Sequence, residues 1–286
     1  MIRHFLSRTF LLLMVAGCFV GTAAAQEDSI YSFQGDAAVV SKYIWRGQRL
    51  TNDWSLQPAV TMGVGGFSFN AWGTIDLAAV NPGDSLPIGG MGADGLKGKF
   101  SEIDYTFSYE HAFESVTASG GAIFYTFPER SAALPSTTEV YGKVTLDSVP
   151  LTPFAALYVD VDQTNASSTG SNGLYVQFGA SHSLPLNNDI FESLDISGTI
   201  SFVNGGFTKY YYGGLDDAGP HDSSFTVALP IKISDNWSAT GFVTYSALLG
   251  NSIRQSQYQD PRVATKPTGA SYADTVWGGF SVSLSF

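Results

Sequence analysis

His221-Asp222-Ser223 sets a histidine two residues from a serine, the pairing in which an imidazole base activates a hydroxyl nucleophile. On a strand, that spacing puts both side chains on one face. Asn251 or Asn204 could then supply the orienting third group from a neighbouring strand, and on an outward face the pair would suit lipid hydrolysis. Against this stand the abundance of serine and Gly219-Pro220, which reads as a loop. The chain has no GxSxG, HExxH or phosphate-cradling glycine loop, so no catalytic residue is assigned and no enzyme is expected. The histidines (His4, His111, His182, His221) show no metal-ligand spacing. Asp216-Asp217 with Asp222 could offer Ca²⁺ carboxylate oxygens, but loop acids do so only occasionally, and no metal or cofactor is expected.

The elements that hold these residues read as strands. Charged residues are only 14% of 286, against about 25% in an average soluble domain. A net charge of −11 leaves no basic face for nucleic acid, and abundant Tyr (14) and Phe (20) argue against a disordered acidic chain. Segments of about ten residues alternate apolar and polar, as expected of an outer-membrane barrel with one face on lipid and one on a polar lumen. The clearest are the C-terminal run through Val276, Phe280, Val282, Leu284 and Phe286, and Glu102–Glu110, where Ile103, Tyr105, Phe107 and Tyr109 share a face. Twelve strands are expected near 33–45, 55–64, 67–77, 101–110, 116–127, 138–147, 153–162, 173–184, 193–203, 223–233, 238–249 and 274–286. Over 116–127 the stretch Ser119-Gly120-Gly121-Ala122-Ile123-Phe124-Tyr125 has no clean parity.

The fold class is therefore all-β: one transmembrane antiparallel up-and-down barrel with short periplasmic turns and longer outer loops. Short turns fall at Gly65-Gly66, 111–115, 148–152, 185–192 and 234–237, and long loops at 46–54, 78–100, 128–137, 163–172, 204–222 and 250–273. Residues 1–25 read as a cleaved signal peptide, with Arg3 and Arg8, an apolar run and an Ala23-Ala24-Ala25 site, leaving a 26–286 barrel bound for a Gram-negative outer membrane. Val15-Ala16-Gly17-Cys18 offers a rival lipobox with Cys18 lipidated, although apolar residues continue past it.

In such a barrel the functional surface is the lumen plus the outer loops. Parity turns Lys42, Arg46, Asp76, Glu102, Asp104, Glu139, Lys143, Asp160, Asp162 and Asp195 inward as pore-lining candidates. Asp36, Glu110, Asp147 and Lys232 share that parity. The acids outnumber the bases, and carboxylate rings favour cations. The bland alternative is that these side chains pair and plug the lumen. Arg46 stands out: it would top strand one, facing carboxylates such as Asp104 or Asp160, either as a constriction or as an internal ion-pair clamp. Tyr43, Trp45, Trp237, Tyr105 and Tyr109 are candidates for interfacial aromatic girdles. Tyr210-Tyr211-Tyr212 lies in a long loop that is expected to fold back on the rim, or else to bind sugars or partners.

Two features carry a family resemblance. Phe286, preceded by Phe280, Val282 and Leu284, looks like the C-terminal strand that outer-membrane proteins present to the barrel assembly machinery. Ser41–Gly47, containing Tyr43, Trp45, Arg46 and Gly47, resembles the aromatic-Arg-Gly motif of the TorF family of porins. Gln57-Pro58-Ala59, Phe67–Gly73, Glu102–Tyr109 and Glu139–Gly142 follow in that family's order, while the loops at 78–100 and 250–273 are longer than its pattern. The resemblance implies a barrel and a pore for passive diffusion of small solutes, with lipid and the assembly machinery as partners. The alternatives are a structural or adhesive barrel with a plugged lumen, and the lipid hydrolase.

Overall fold

A computed structural model describes residues 30–78, 97–128, 136–162, 172–186, 188, 190–212, 215–256 and 273–286, together with a two-residue strand pair at Leu11–Leu12 and Val20–Gly21. The expected cleavage site at Ala25 and the lipobox cysteine lie outside these residues.

Among them, twelve strands close into one antiparallel barrel. They are β1 (Tyr31–Val40), β2 (Ser55–Val64), β3 (Phe67–Asp76), β4 (Phe100–Ala112), β5 (Val116–Thr126) and β6 (Thr137–Leu146). The remainder are β7 (Phe154–Asp160), β8 (Leu174–Pro185), β9 (Ser193–Val203), β10 (Gly219–Lys232), β11 (Trp237–Leu248) and β12 (Asp274–Ser285). Each strand pairs with the next in sequence. Closure comes from β12 on β1, with Phe280 opposite Val39 and Leu284 opposite Gly35. The Phe286 and Phe33 backbones exchange hydrogen bonds of 2.9 and 3.1 Å. Closure leaves no open strand edge.

Period-2 alternation sorts side chains by face. Outside, Phe107, Phe225, Val243, Val276 and Phe280 are exposed, as are Tyr105, Tyr109 and Trp237. Inside are hydroxyl, amide and carboxylate side chains at the short-turn half, and two buried apolar clusters. The larger one, containing Trp45, Tyr125, Tyr158, Tyr175, Phe207 and Tyr211, fills the lumen towards the long loops. The uncertain strand is real: Ile123 and Tyr125 are buried inside while Phe124 is exposed outside.

Two expectations need correction. Strand one ends at Val40, not at residue 45. The chain then turns inward as a small hairpin, Tyr43–Trp45 against Gln48–Thr51. Tyr43 and Trp45 are therefore buried lumen residues and not girdle aromatics. Strand β10 begins at Gly219, so 219–222 belongs to the wall and not to a loop.

Candidate functional site

The hairpin is the centre of the site. Its tip is Arg46-Gly47, with φ of +47° and +74°, the pattern of a primed two-residue turn. Trp45 precedes the tip and faces Gln48 across it. The aromatic-Arg-Gly sequence is thus a turn that aims a cation into the barrel. A Cβ on Gly47 would meet Asp222 Cβ at 2.7 Å and Leu248 Cδ2 at 3.0 Å. Gly47→Ala, strained both in φ and in space, is expected to cost about 1–2 kcal/mol, read as a lower denaturant midpoint. An unchanged midpoint would show that the tip relaxes freely.

Arg46 donates from both terminal nitrogens to Glu139, at 2.7 Å each. Its guanidinium carbon lies 4.1 Å from the Tyr175 ring centroid, 4.7 Å from Trp45, 5.0 Å from Tyr158 and 5.7 Å from Phe207. Glu139 accepts a further bond from Tyr125 Oη at 2.8 Å. Arg46 therefore meets Glu139, and not the Asp104 or Asp160 named as its counterparts. A planar, weakly hydrated cation suits this combination of fork and rings.

A second inward element closes over the hairpin. Helix α1 (Gly205–Tyr211) starts at Asn204, whose Oδ1 caps the Phe207 amide at 3.0 Å. Phe207 stacks on Trp45 at 6.1 Å and 15°, and Tyr211 packs on it at 4.8 Å. The Tyr cluster thus folds inward: Tyr211 and Tyr212 are buried. Burial beside the Asp160 and Asp162 charges pushes the Tyr210 phenol up to about 12. A short helix α2 (Asn251–Ser256) is tied to the rim by Arg254, which bonds Asp274 at 2.5 and 3.1 Å.

The His221-Asp222-Ser223 triplet does not form a nucleophile–base pair. His221 is buried inside the lumen, not turned outward, and both ring nitrogens are engaged: Nε2 with Tyr212 Oη at 2.9 Å, Nδ1 with Asp222 at 2.7 Å. Asp222 also takes bonds from Tyr175 Oη at 3.0 Å and from Ser201 Oγ. Nor do Asp216 and Asp222 converge, since Asp216 is exposed and pairs with Lys209 at 2.8 Å while Asp222 is buried.

The other candidate lining residues divide by partner. Asp160 accepts from Thr137, Asp162 from Thr138, Asp195 from Ser193, and Glu102 from Tyr43 Oη at 2.7 Å. Lys143 lies 4.8 Å from the Phe154 ring. Lys42 donates to the Val276 carbonyl, and Lys232 pairs with Asp235 in an exposed turn. Asp76 is buried beside Ser55. Asp104 is buried and neither of its oxygens has a hydrogen-bond partner among the described residues. Parity could not name Phe207 or Gln48, which reach the lumen from the helix and the hairpin, whereas Tyr175 has inward parity on β8 and was missed.

No family model and no curated protein matches the chain. Three solved structures are similar to it over most of its length. The NanC porin is 11% identical over 88% of this chain and 98% of that one, with a TM-score of 0.48. An outer membrane channel from Pseudomonas putida F1 is 8% identical over 90% and 96%, TM-score 0.45. Salmonella typhi OmpF, in a complex with daunomycin, is 9% identical over 90% and 97%, TM-score 0.38.

Proposed function

We propose that this chain is a porin-like channel of the bacterial outer membrane that passes small solutes by diffusion through a lumen gated by the hairpin and α1. The observation that carries the reading is the opposition of the two faces. The exterior is apolar and exposed around the barrel. The interior of the short-turn half is lined by partly exposed Thr61, Ser68, Ser108, Ser119, Ser181 and Ser283. An apolar outside needs an apolar solvent, and a hydrated inside offers a path. Twelve strands lie between the filled eight-stranded and the open sixteen-stranded barrels.

On this reading residues 1–25 are the export signal, and the short turns are periplasmic. The strand ending Phe280, Val282, Leu284 and Phe286 is handed to the assembly machinery, and the Tyr43–Gly47 motif marks a TorF-type porin. The lumen acids make the channel mildly cation-selective.

The test is planar-bilayer conductance of the refolded 26–286 protein in a KCl gradient, with folding first verified by a heat-shifted gel band. Discrete steps with a cation-favouring reversal potential are expected. Steps without selectivity would keep the pore and remove the charge argument. A folded barrel that stays silent, both wild type and Arg46→Ala, would overturn the channel in favour of a plugged structural or adhesive barrel.

A further inference from the structure

Neighbouring residues on a strand point to opposite faces, yet His221 and Asp222 are both buried in the lumen, at 0% and 3% exposure. A bulge makes this possible. Ser223 of β10 pairs with Ile200 of β9 and Pro220 with Phe202, so β10 carries one residue more than its partner. Such a bulge interrupts the ladder and re-aims side chains. Here a side chain answers the interruption: the Asp222 amide donates to Ser201 Oγ at 3.2 Å, and the Ser201 hydroxyl donates in turn to the Asp222 carboxylate. The wall thus presents two adjacent polar side chains at one point to the hairpin and α1, which together plug the lumen.

Each of the two holds a different inward element. The Asp222 carboxylate only accepts, so the hydrogen between it and His221 sits on Nδ1, and Nε2 of the neutral ring accepts from the Tyr212 hydroxyl, at 2.7 and 2.9 Å. Tyr212 is the C-cap of α1, with its amide donating to the Thr208 carbonyl. The imidazole also meets the Phe207 ring of α1 edge to face at 5.0 Å. Asp222 reaches the hairpin. Its Cβ lies where a side chain on Gly47 would have to go, and its carboxylate fixes the Tyr175 hydroxyl at 3.0 Å, while the Tyr175 ring faces the Arg46 guanidinium at 4.1 Å. Between the two elements, Phe207 and Tyr211 of α1 lie on Trp45. Wall, helix and hairpin therefore form a closed circuit of contacts through one pair of residues.

We infer that His221 and Asp222 are the latch of the plug: they hold α1 and the hairpin against β10 together, and the two elements leave the wall as one body when the bond between His221 and Tyr212 breaks. Packing alone does not account for the pair. A phenylalanine at 221 would fill the same space among Phe207, Tyr175 and Tyr212 with no polar group to satisfy. The pair instead buries a carboxylate, an imidazole and two phenols, each with its partner in place, and a satisfied network of this kind specifies one arrangement. The inference rests on the reading of the hairpin and α1 as a gate. Its test reads docking and not conductance, so the two readings fail separately.

The test is thiol labelling of the refolded 26–286 protein, which contains no cysteine because the one in the sequence is Cys18. Thr208→Cys places a reporter on α1 and Leu50→Cys one on the hairpin, both at buried positions. His221→Phe and, separately, Tyr212→Phe are expected to raise the labelling rate about tenfold at both reporters, as loss of one buried hydrogen bond would, with the heat-shifted band retained. The two substitutions together should do no more than either alone, because they break the same bond. An unchanged rate in both variants would make His221 a packing residue and overturn the latch. A rise at Thr208→Cys without one at Leu50→Cys would show that helix and hairpin move independently, and would overturn it equally. If His221→Phe loses the band, Tyr212→Phe, which leaves the wall untouched, decides alone.

Discussion

Arg46→Ala is expected to destabilise the barrel by about 3–5 kcal/mol and to raise its conductance, because it removes one half of a buried ion pair and leaves the other half behind. The Arg46 side chain is 10% exposed and that of Glu139 1%. With Arg46 gone, Glu139 keeps only the Tyr125 hydroxyl among the contacts described above. The four rings around the guanidinium lose their cation, and each such contact is worth about 0.5–2 kcal/mol. The hairpin tip, already in left-handed backbone, then has less to hold it inward. The stability loss is read from urea unfolding in lipid vesicles, the opening from bilayer recordings.

The partner variants make the cause visible. Glu139→Gln should also destabilise, since it strands the guanidinium. Arg46→Met with Glu139→Met removes both charges and keeps apolar volume beside Trp45, Tyr158 and Tyr175, so it should recover most of the stability and stay closed. If Arg46→Ala conducts like the wild type while still losing stability, the pair is a structural clamp and the gate lies elsewhere. If neither property changes, the hairpin is held by its aromatic packing alone.

The wall was legible in the sequence because lipid and lumen impose opposite demands on alternate residues. Val276, Phe280 and Ser281 declare their faces without knowledge of their neighbours. The strand at 116–126 was obscure for a physical reason: Gly120 and Gly121 have no side chain to place. Ile123 is also apolar although it faces inward, because it packs on the plug. Arg46 was legible as an inward cation, but its partner was not, since the turn at Arg46-Gly47 redirects it from a strand end to a hairpin tip. His221 was misplaced because the parity that turns Ser223 outward breaks at a β-bulge: Ser223 pairs with Ile200 but Pro220 with Phe202, and the extra residue turns His221 inward. The plug itself is tertiary: Trp45, Phe207 and Tyr211 meet only because two rim segments fold into the same lumen. No pattern of spacing encodes that encounter.

Val243→Arg is expected to cost about 2–4 kcal/mol in lipid vesicles, although it replaces a side chain that is 57% exposed. In water an exposed substitution on a strand face usually stays within about 0.5 kcal/mol, so the size of the effect reports the solvent that this face meets. Val243 lies in the middle of β11, between Val227 of β10 and Gly278 of β12, where the strands run deepest between the two ends of the barrel. Ile233 is as exposed but follows the end of β10 at a short turn, and there an arginine should cost only about 0–1 kcal/mol. Unfolding free energies of the two variants in the same vesicles give a two-point depth profile. A steep difference requires a hydrocarbon layer around the middle of the barrel. Equal small costs would mean that water meets both positions, and the membrane reading would fall together with the channel built on it.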